Sequence, residues 1–396
     1  MAMIGRRLGG SVALGAALLA ALSLAATPVS AARGTSTAGR AQTAPDTAPT
    51  APAVSPATTW SSPRLARLGD YFHVSLAIDS HGRLHAAAAG HSGIWYMREM
   101  GDGSFERQRV STNLPGGHDD DPSIALDGAG RPYVAFVRWD CDDCAPNPPK
   151  GIYLSKRSGG SWTSPTKLAG RSMVSPSLQI HGGDLYLAYA RCECIPKQTA
   201  QVWFLTSAGP GAGYTRLMVD EGGGNPSLQV AANGRARIAF DGHGVWVAQA
   251  AGKACCFSLL QIGEDTAGTA YPSLALTSDN RSVVAWSRVG GPGRRGIVVT
   301  TLTGSTTFSN ARASAQRGHP SLALDGSDSP VVAVWRSSGC CWVYEKSGAT
   351  FAGTRFDDEA VADGMGIVID GATDERHIAY SAVDGVPPAV YVVDGT

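Results

Sequence analysis

One short pattern recurs seven times along the chain, and such self-similarity at a near-constant period is the mark of stacked or circular folds. The copies open at Val74-Ser75-Leu76, Pro122-Ser123-Ile124, Pro176-Ser177-Leu178, Pro226-Ser227-Leu228, Pro272-Ser273-Leu274, Pro320-Ser321-Leu322 and Met365-Gly366-Ile367. A Gly, Asn or Asp turn follows each, then a second apolar run with an alanine at one fixed place: Ala87, Ala135, Ala188, Ala239, Ala285, Ala333 and Ala379. These alanines lie 46 to 53 residues apart, and their recurrence says that only a small side chain fits there. A third run carries an aromatic at Trp95, Tyr153, Trp203, Trp246, Trp342 and Tyr391, with Val298 the exception. A fourth follows a glycine turn leading to an aromatic, as in Gly160-Ser161-Trp162. Four short strands per unit predict an all-β, seven-bladed β-propeller of four-stranded blades over residues 58–396.

The ends of the chain fit a ring. The sequence stops at Thr396, one strand short of a complete seventh unit, while Trp60-Ser61-Ser62-Pro63 matches Trp162-Thr163-Ser164-Pro165 of the second. The N-terminal strand is therefore expected to complete the last blade and leave no open edge. Ahead of it, Arg6 and Arg7 precede an apolar run and then Val29-Ser30-Ala31-Ala32, the layout of a secretory signal peptide over 1–32. Residues 33–57, mostly Ala, Thr, Pro, Ser and Gly, cannot bury enough apolar surface to fold and read as a linker. The expected location is secreted or in the cell envelope, with no membrane span in the mature, monomeric form. Balanced charge, 33 Lys+Arg against 33 Asp+Glu, gives no general attraction to nucleic acid.

In a propeller the loops after second strands and the links between blades open on one face, here termed the upper face. Its longest insertions are 139–150, 192–200 and 289–295, and variable loops on a rigid scaffold are where binding sites usually lie. Second strands end in Arg138, Arg191, Arg288 and Arg336, aimed at that face. The residues leading into the inner strands, His73, Asp121, Ser175, Asn225, Tyr271 and His319, are expected to ring the mouth of the central channel. Arginines there suit an anionic or hydroxyl-rich ligand, with Trp139 and Trp335 as stacking surfaces; the alternative is that arginines and neighbouring acids merely pair in solvent. No cofactor is expected. The Asp119-Asp120-Asp121 run offers oxygen ligands for Ca²⁺, but without the spaced, glycine-containing order of an EF-hand loop.

Eight cysteines form four doublets: Cys141 and Cys144, Cys192 and Cys194, Cys255-Cys256, and Cys340-Cys341. In an exported chain this parity predicts disulfides. The adjacent pairs are expected to bridge to themselves. The spaced pairs can close locally or cross between neighbouring blades, with a thiolate metal site as the competing reading.

The repeat resembles those of secreted bacterial propellers and, more loosely, the Asp-box (BNR) repeats of sialidase-like proteins. Gly160-Ser161-Trp162 keeps the Gly and Trp of the Asp-box turn, whereas its Ser and Asp are mostly absent, as is the Phe/Tyr-Arg-Ile-Pro segment of sialidases. The resemblance implies a sialidase-like propeller without its catalytic signature. With no nucleophile and base pair legible, the leading expectation is a protein that binds a glycan or other extracellular ligand on the upper face. The alternatives are a glycoside hydrolase using acids such as Asp121 or Glu221, and a protein-interaction scaffold in the cell envelope.

Overall fold

The computed structural model describes residues 58–69, 71–114, 117–139, 150–191, 200–208, 213–264, 270–290, 295–336, 341–357, 362–382 and 389–396. They form seven antiparallel sheets arranged as a ring, a seven-bladed β-propeller. Among the described residues no helix is long and apolar enough to cross a membrane. The inner strands are Tyr71–Ile78, Asp119–Leu126, Met173–His181, Gly224–Val230, Ser273–Leu276, His319–Leu324 and Ala362–Ile369. Each packs on the next, and the seventh packs on the first.

The recurring serine has a structural cause. Six times, the serine hydroxyl accepts a hydrogen bond from the backbone N–H of the following blade's inner strand. Ser75 takes Ile124 N–H, Ser123 takes Leu178, Ser177 takes Leu228, Ser227 takes Leu274, Ser273 takes Leu322, and Ser321 takes Ile367, all at 2.9–3.2 Å. Directly opposite each serine lies the marker alanine, for example Ser75 opposite Ala87 and Ser321 opposite Ala333. Opposed residues point to the same side of a sheet, so each alanine faces the neighbouring blade. All seven alanines are fully buried, and a larger side chain would hold that blade off. The seventh unit has Gly366 opposite Ala379 in place of the serine.

The apolar core is divided among the blade junctions rather than gathered at one centre. Seven buried clusters each join two neighbouring blades; one sets Ala87, Ile94 and Tyr96 against Ile124, Val134 and Phe136. At the junction of the last and first blades, Ala66, Val390 and Val392 pack against Tyr71, Leu84 and Met97. Strand Arg64–Leu68 pairs antiparallel with Ala389–Gly395 as the outer strand of the seventh blade. The strand thus begins just after the Trp60–Pro63 segment expected for it, and Trp60 itself bridges to Gly395. Arg64 then ties this strand to both blades through Asp394 and Glu99.

The cysteine expectations meet a correction. Cys255 and Cys256 are free thiols, both exposed, and not a bridged pair. Consecutive Cα atoms stand only about 3.8 Å apart, short of the roughly 4.4–6.8 Å that disulfides prefer. The hairpin turn holds Cys256 in a left-handed conformation, φ 60°, with its carbonyl accepting Ala251 N–H. Cys341 is disulfide-bonded. Cys141, Cys144, Cys192, Cys194 and Cys340 lie outside the described residues.

Candidate functional site on the upper rim

The inner strands of most blades enter the ring through a β-bulge, such as those at Asp120/Ser123, Val174/Ser177 and Gly224/Ser227. A bulge re-aims the side chain it carries. Asp121, Ser175, Asn225 and Tyr271 occupy the equivalent position in successive blades, all left-handed with φ of 44–51°. This conformation is uncommon for Asp and Ser and strained for a residue as bulky as Tyr.

Several of the residues expected at the channel mouth touch one another. His73 Nδ1 stands 3.0 Å from Asp120 Oδ1 and 3.2 Å from Asp121 Oδ1. Tyr271 stacks on His319 with ring centroids 3.7 Å apart, and His319 meets the edge of Trp335 at 4.5 Å. The seventh position is Gly364, where an added Cβ would lie 2.7 Å from the His73 backbone, so no larger residue fits.

The sectors on either side of this seam differ in sign. In the sector of blades one and two, the first acid of the run, Asp119, is buried and holds Arg138 through two hydrogen bonds of 2.6 and 2.7 Å. Arg138 also lies over the Tyr153 ring, so it belongs to the framework. Trp139 stacks on His118 nearby. The next two acids lie beside His73. Burial works against the charge of Asp120, yet its hydrogen bond to His73 holds it below the ordinary carboxylate range. Burial pushes Asp121 upward, although 28% of its side chain still reaches solvent through the mouth.

In the sector of blades five and six, a cavity of about 520 Å³ is lined by Tyr271, Arg295, Arg317, His319, Trp335 and Arg336 among others, none of them an acid. Arg336 is buried, bonded to Gln316 at 2.6 Å, to Ser314 at 2.9 Å and to the Tyr344 hydroxyl, and it lies over Trp342. Arg295 and Arg317 are exposed, and among the described residues neither guanidinium has a hydrogen bond or ion pair. Burial, with the charges of His73 and Arg317, lowers the His319 pKa to about 4. The imidazole is therefore neutral near pH 7 and serves as part of an aromatic wall.

Of the residues singled out by sequence, the structure gathers Tyr271, His319, Trp335 and Arg336 in this cavity, and His73 with Asp121 in the acidic sector. Arg191 and Arg288 end their second strands as expected, opposite Met173 and Gly296, and both have interaction partners. Sequence reading missed Arg317. The available signal was its alignment, three residues before the Pro-Ser of its own unit, with Asp119 of the second unit.

No family model matches the chain, and neither does any curated protein. Its shape is shared with known propellers. A protein of unknown function from Dyadobacter fermentans superposes at a TM-score of 0.53 with 12% identity, covering 86% of this chain and 99% of that one. The sialidase of Trypanosoma rangeli, in complex with the inhibitor DANA, gives 0.51 at 9% identity over 83% of this chain and 55% of the sialidase. An α-L-arabinofuranosidase from Fusarium graminearum, bound to an iminosugar inhibitor, gives 0.52 at 10% identity over 85% and 97%. The fold is therefore that of sialidase-like propellers.

Proposed function

We propose that this protein is an exported carbohydrate-binding propeller whose upper-face cavity between blades five and six takes a carboxylate-bearing glycan. The observation that carries this reading is the pair Arg295 and Arg317. Two guanidiniums with no partner among the described residues face one cavity that has no described acid, beside a wall made of Tyr271, His319 and Trp335. Planar guanidinium matches carboxylate in two parallel hydrogen bonds, and aromatic faces receive the apolar faces of sugar rings. That fold neighbours include a sialidase and an arabinofuranosidase supports a sugar as ligand. Binding without turnover is favoured over hydrolysis because the described lining includes no carboxyl group to protonate a leaving oxygen.

A glycan array probed with the full chain tests this. Retention should concentrate on uronate- and sialate-containing glycans and disappear in the Arg295→Ala/Arg317→Ala variant. Equal retention of neutral glycans, or a variant that binds as the parent does, would overturn the reading. Release of free sugar from the bound glycans would replace it with a hydrolase.

A further inference from the structure

We propose that the acidic sector of the rim is a divalent metal site, formed by His73 of the first blade with Asp120 and Asp121 of the second, and selective for a first-row transition ion over Ca²⁺. One ligand atom from each of the three residues lies within 4.8 Å of the others. The imidazole nitrogen stands 3.0 and 3.2 Å from the two carboxylate oxygens. First-row divalent ions bind N and O ligands at about 2.0–2.2 Å, which sets neighbouring ligand atoms about 2.9–3.5 Å apart. Ca²⁺, with bonds of about 2.3–2.6 Å and a preference for all-oxygen surroundings, asks for wider spacing and no imidazole.

Hydrogen bonding from His73 accounts for only one of its two short contacts. Each carboxylate accepts one backbone N–H, Asp120 from Asp121 and Asp121 from Ser175, but the single Nδ1 proton can go fully to only one of the two oxygens beside it, whereas a cation at their common centre engages all three groups. The ligand set also differs from the one the sequence suggested. Asp119 is committed to Arg138 on the buried side, and its place is taken by His73 of the neighbouring blade, 47 residues from Asp120. Side-chain exposure of 46% at His73 and 28% at Asp121 leaves the centre open to the mouth, so an ion can enter and keep water or a ligand atom in its remaining positions. Because its ligands come from two blades, a bound ion would clip those blades together.

The test uses the full chain after chelator treatment. Titration with Mn²⁺, followed by calorimetry and by its paramagnetic resonance, should show one ion per chain and a higher melting temperature. Co²⁺ should give a nitrogen and oxygen ligand-field spectrum without thiolate charge transfer, which separates this centre from any cysteine site. His73→Asn and Asp121→Asn should each weaken Mn²⁺ binding at least tenfold, and Arg317→Ala should leave it unchanged. If Asp121→Asn does not fold, as judged by its melting transition without metal, Asp120→Asn takes its place. Absence of saturable binding, a thiolate band, tighter Ca²⁺ than Mn²⁺ binding, or variants that bind as the parent does would each overturn the proposal. Its failure would leave the glycan reading standing, since that rests on Arg295 and Arg317 of the other sector.

Discussion

The second and sixth blades build the same part of the rim from the same strands and arrive at opposite charge. Arg138 and Arg336 both stand three residues beyond the marker alanine, and Asp119 and Arg317 both stand three residues before the inner-strand proline. With an acid at that second position, the strand-end arginine is neutralised and the remaining acids face the mouth. With an arginine there, the strand-end arginine is held by neutral groups and stacked rings instead, and positive charge accumulates over the cavity. Beneath both sectors the Ser123 and Ser321 bonds to the next blade are alike. A repeat architecture thus keeps one layer uniform for assembly and lets another vary for recognition, and a single position sets the sign.

The largest test of this contrast is Asp119→Ala. It leaves Arg138 without its buried partner and should cost about 3–5 kcal/mol of stability by chemical denaturation, as breakage of buried ion pairs does. Arg317→Ala at the aligned position removes an exposed, unpaired charge and should change stability by no more than about 0.5 kcal/mol. Comparable losses from the two variants would end the distinction. Next comes ligand affinity: Arg295→Ala/Arg317→Ala should weaken binding of a carboxylated glycan about a hundredfold, roughly 2.7 kcal/mol, in line with two lost charge-assisted hydrogen bonds.

A smaller effect is expected in the uniform layer. Gly366 occupies the serine position of the seventh junction, and a Cβ placed there would meet Leu76 N at 3.6 Å, an ordinary contact. Gly366→Ser should supply the seventh interblade bond and stabilise the ring by about 1 kcal/mol, leaving both rim sectors as they were. A destabilised protein would show that the junction between the last and first blades is built differently from the other six.

The smallest effect is a titration. His319 should show an NMR midpoint of about 4, and Arg317→Ala should move it toward the ordinary histidine value. The unfolded chain takes up this proton near pH 6.5 while the folded chain resists until about 4. This group's contribution to stability is thus intact above about pH 6.5 and declines as the pH falls toward 4.

The repeat made the fold legible, because Ser, Ala and the third-strand aromatic recur wherever blades must approach one another. The contacts of His73 with Asp121 and of Tyr271 with His319 follow from the same repeat, since all four hold aligned positions just before the inner-strand core. Charge pairing was not. Whether an arginine at a strand end is free depends on a partner across the strand pair, as Asp119 is to Arg138, or on packing against rings, as Tyr344 and Trp342 are to Arg336. Periodicity records neither. The expected self-bridge of Cys255-Cys256 failed on local backbone geometry, which the even count of cysteines does not report.

The central claim is that the positive sector recognises carboxylate charge on a sugar. Calorimetric titration of the full chain with one uronic-acid oligosaccharide, as the free acid and as its methyl ester, isolates that charge from ring shape and hydroxyl pattern. The account predicts saturable binding of the free acid and at least tenfold weaker binding of the ester. Equal affinity for the two forms would contradict it.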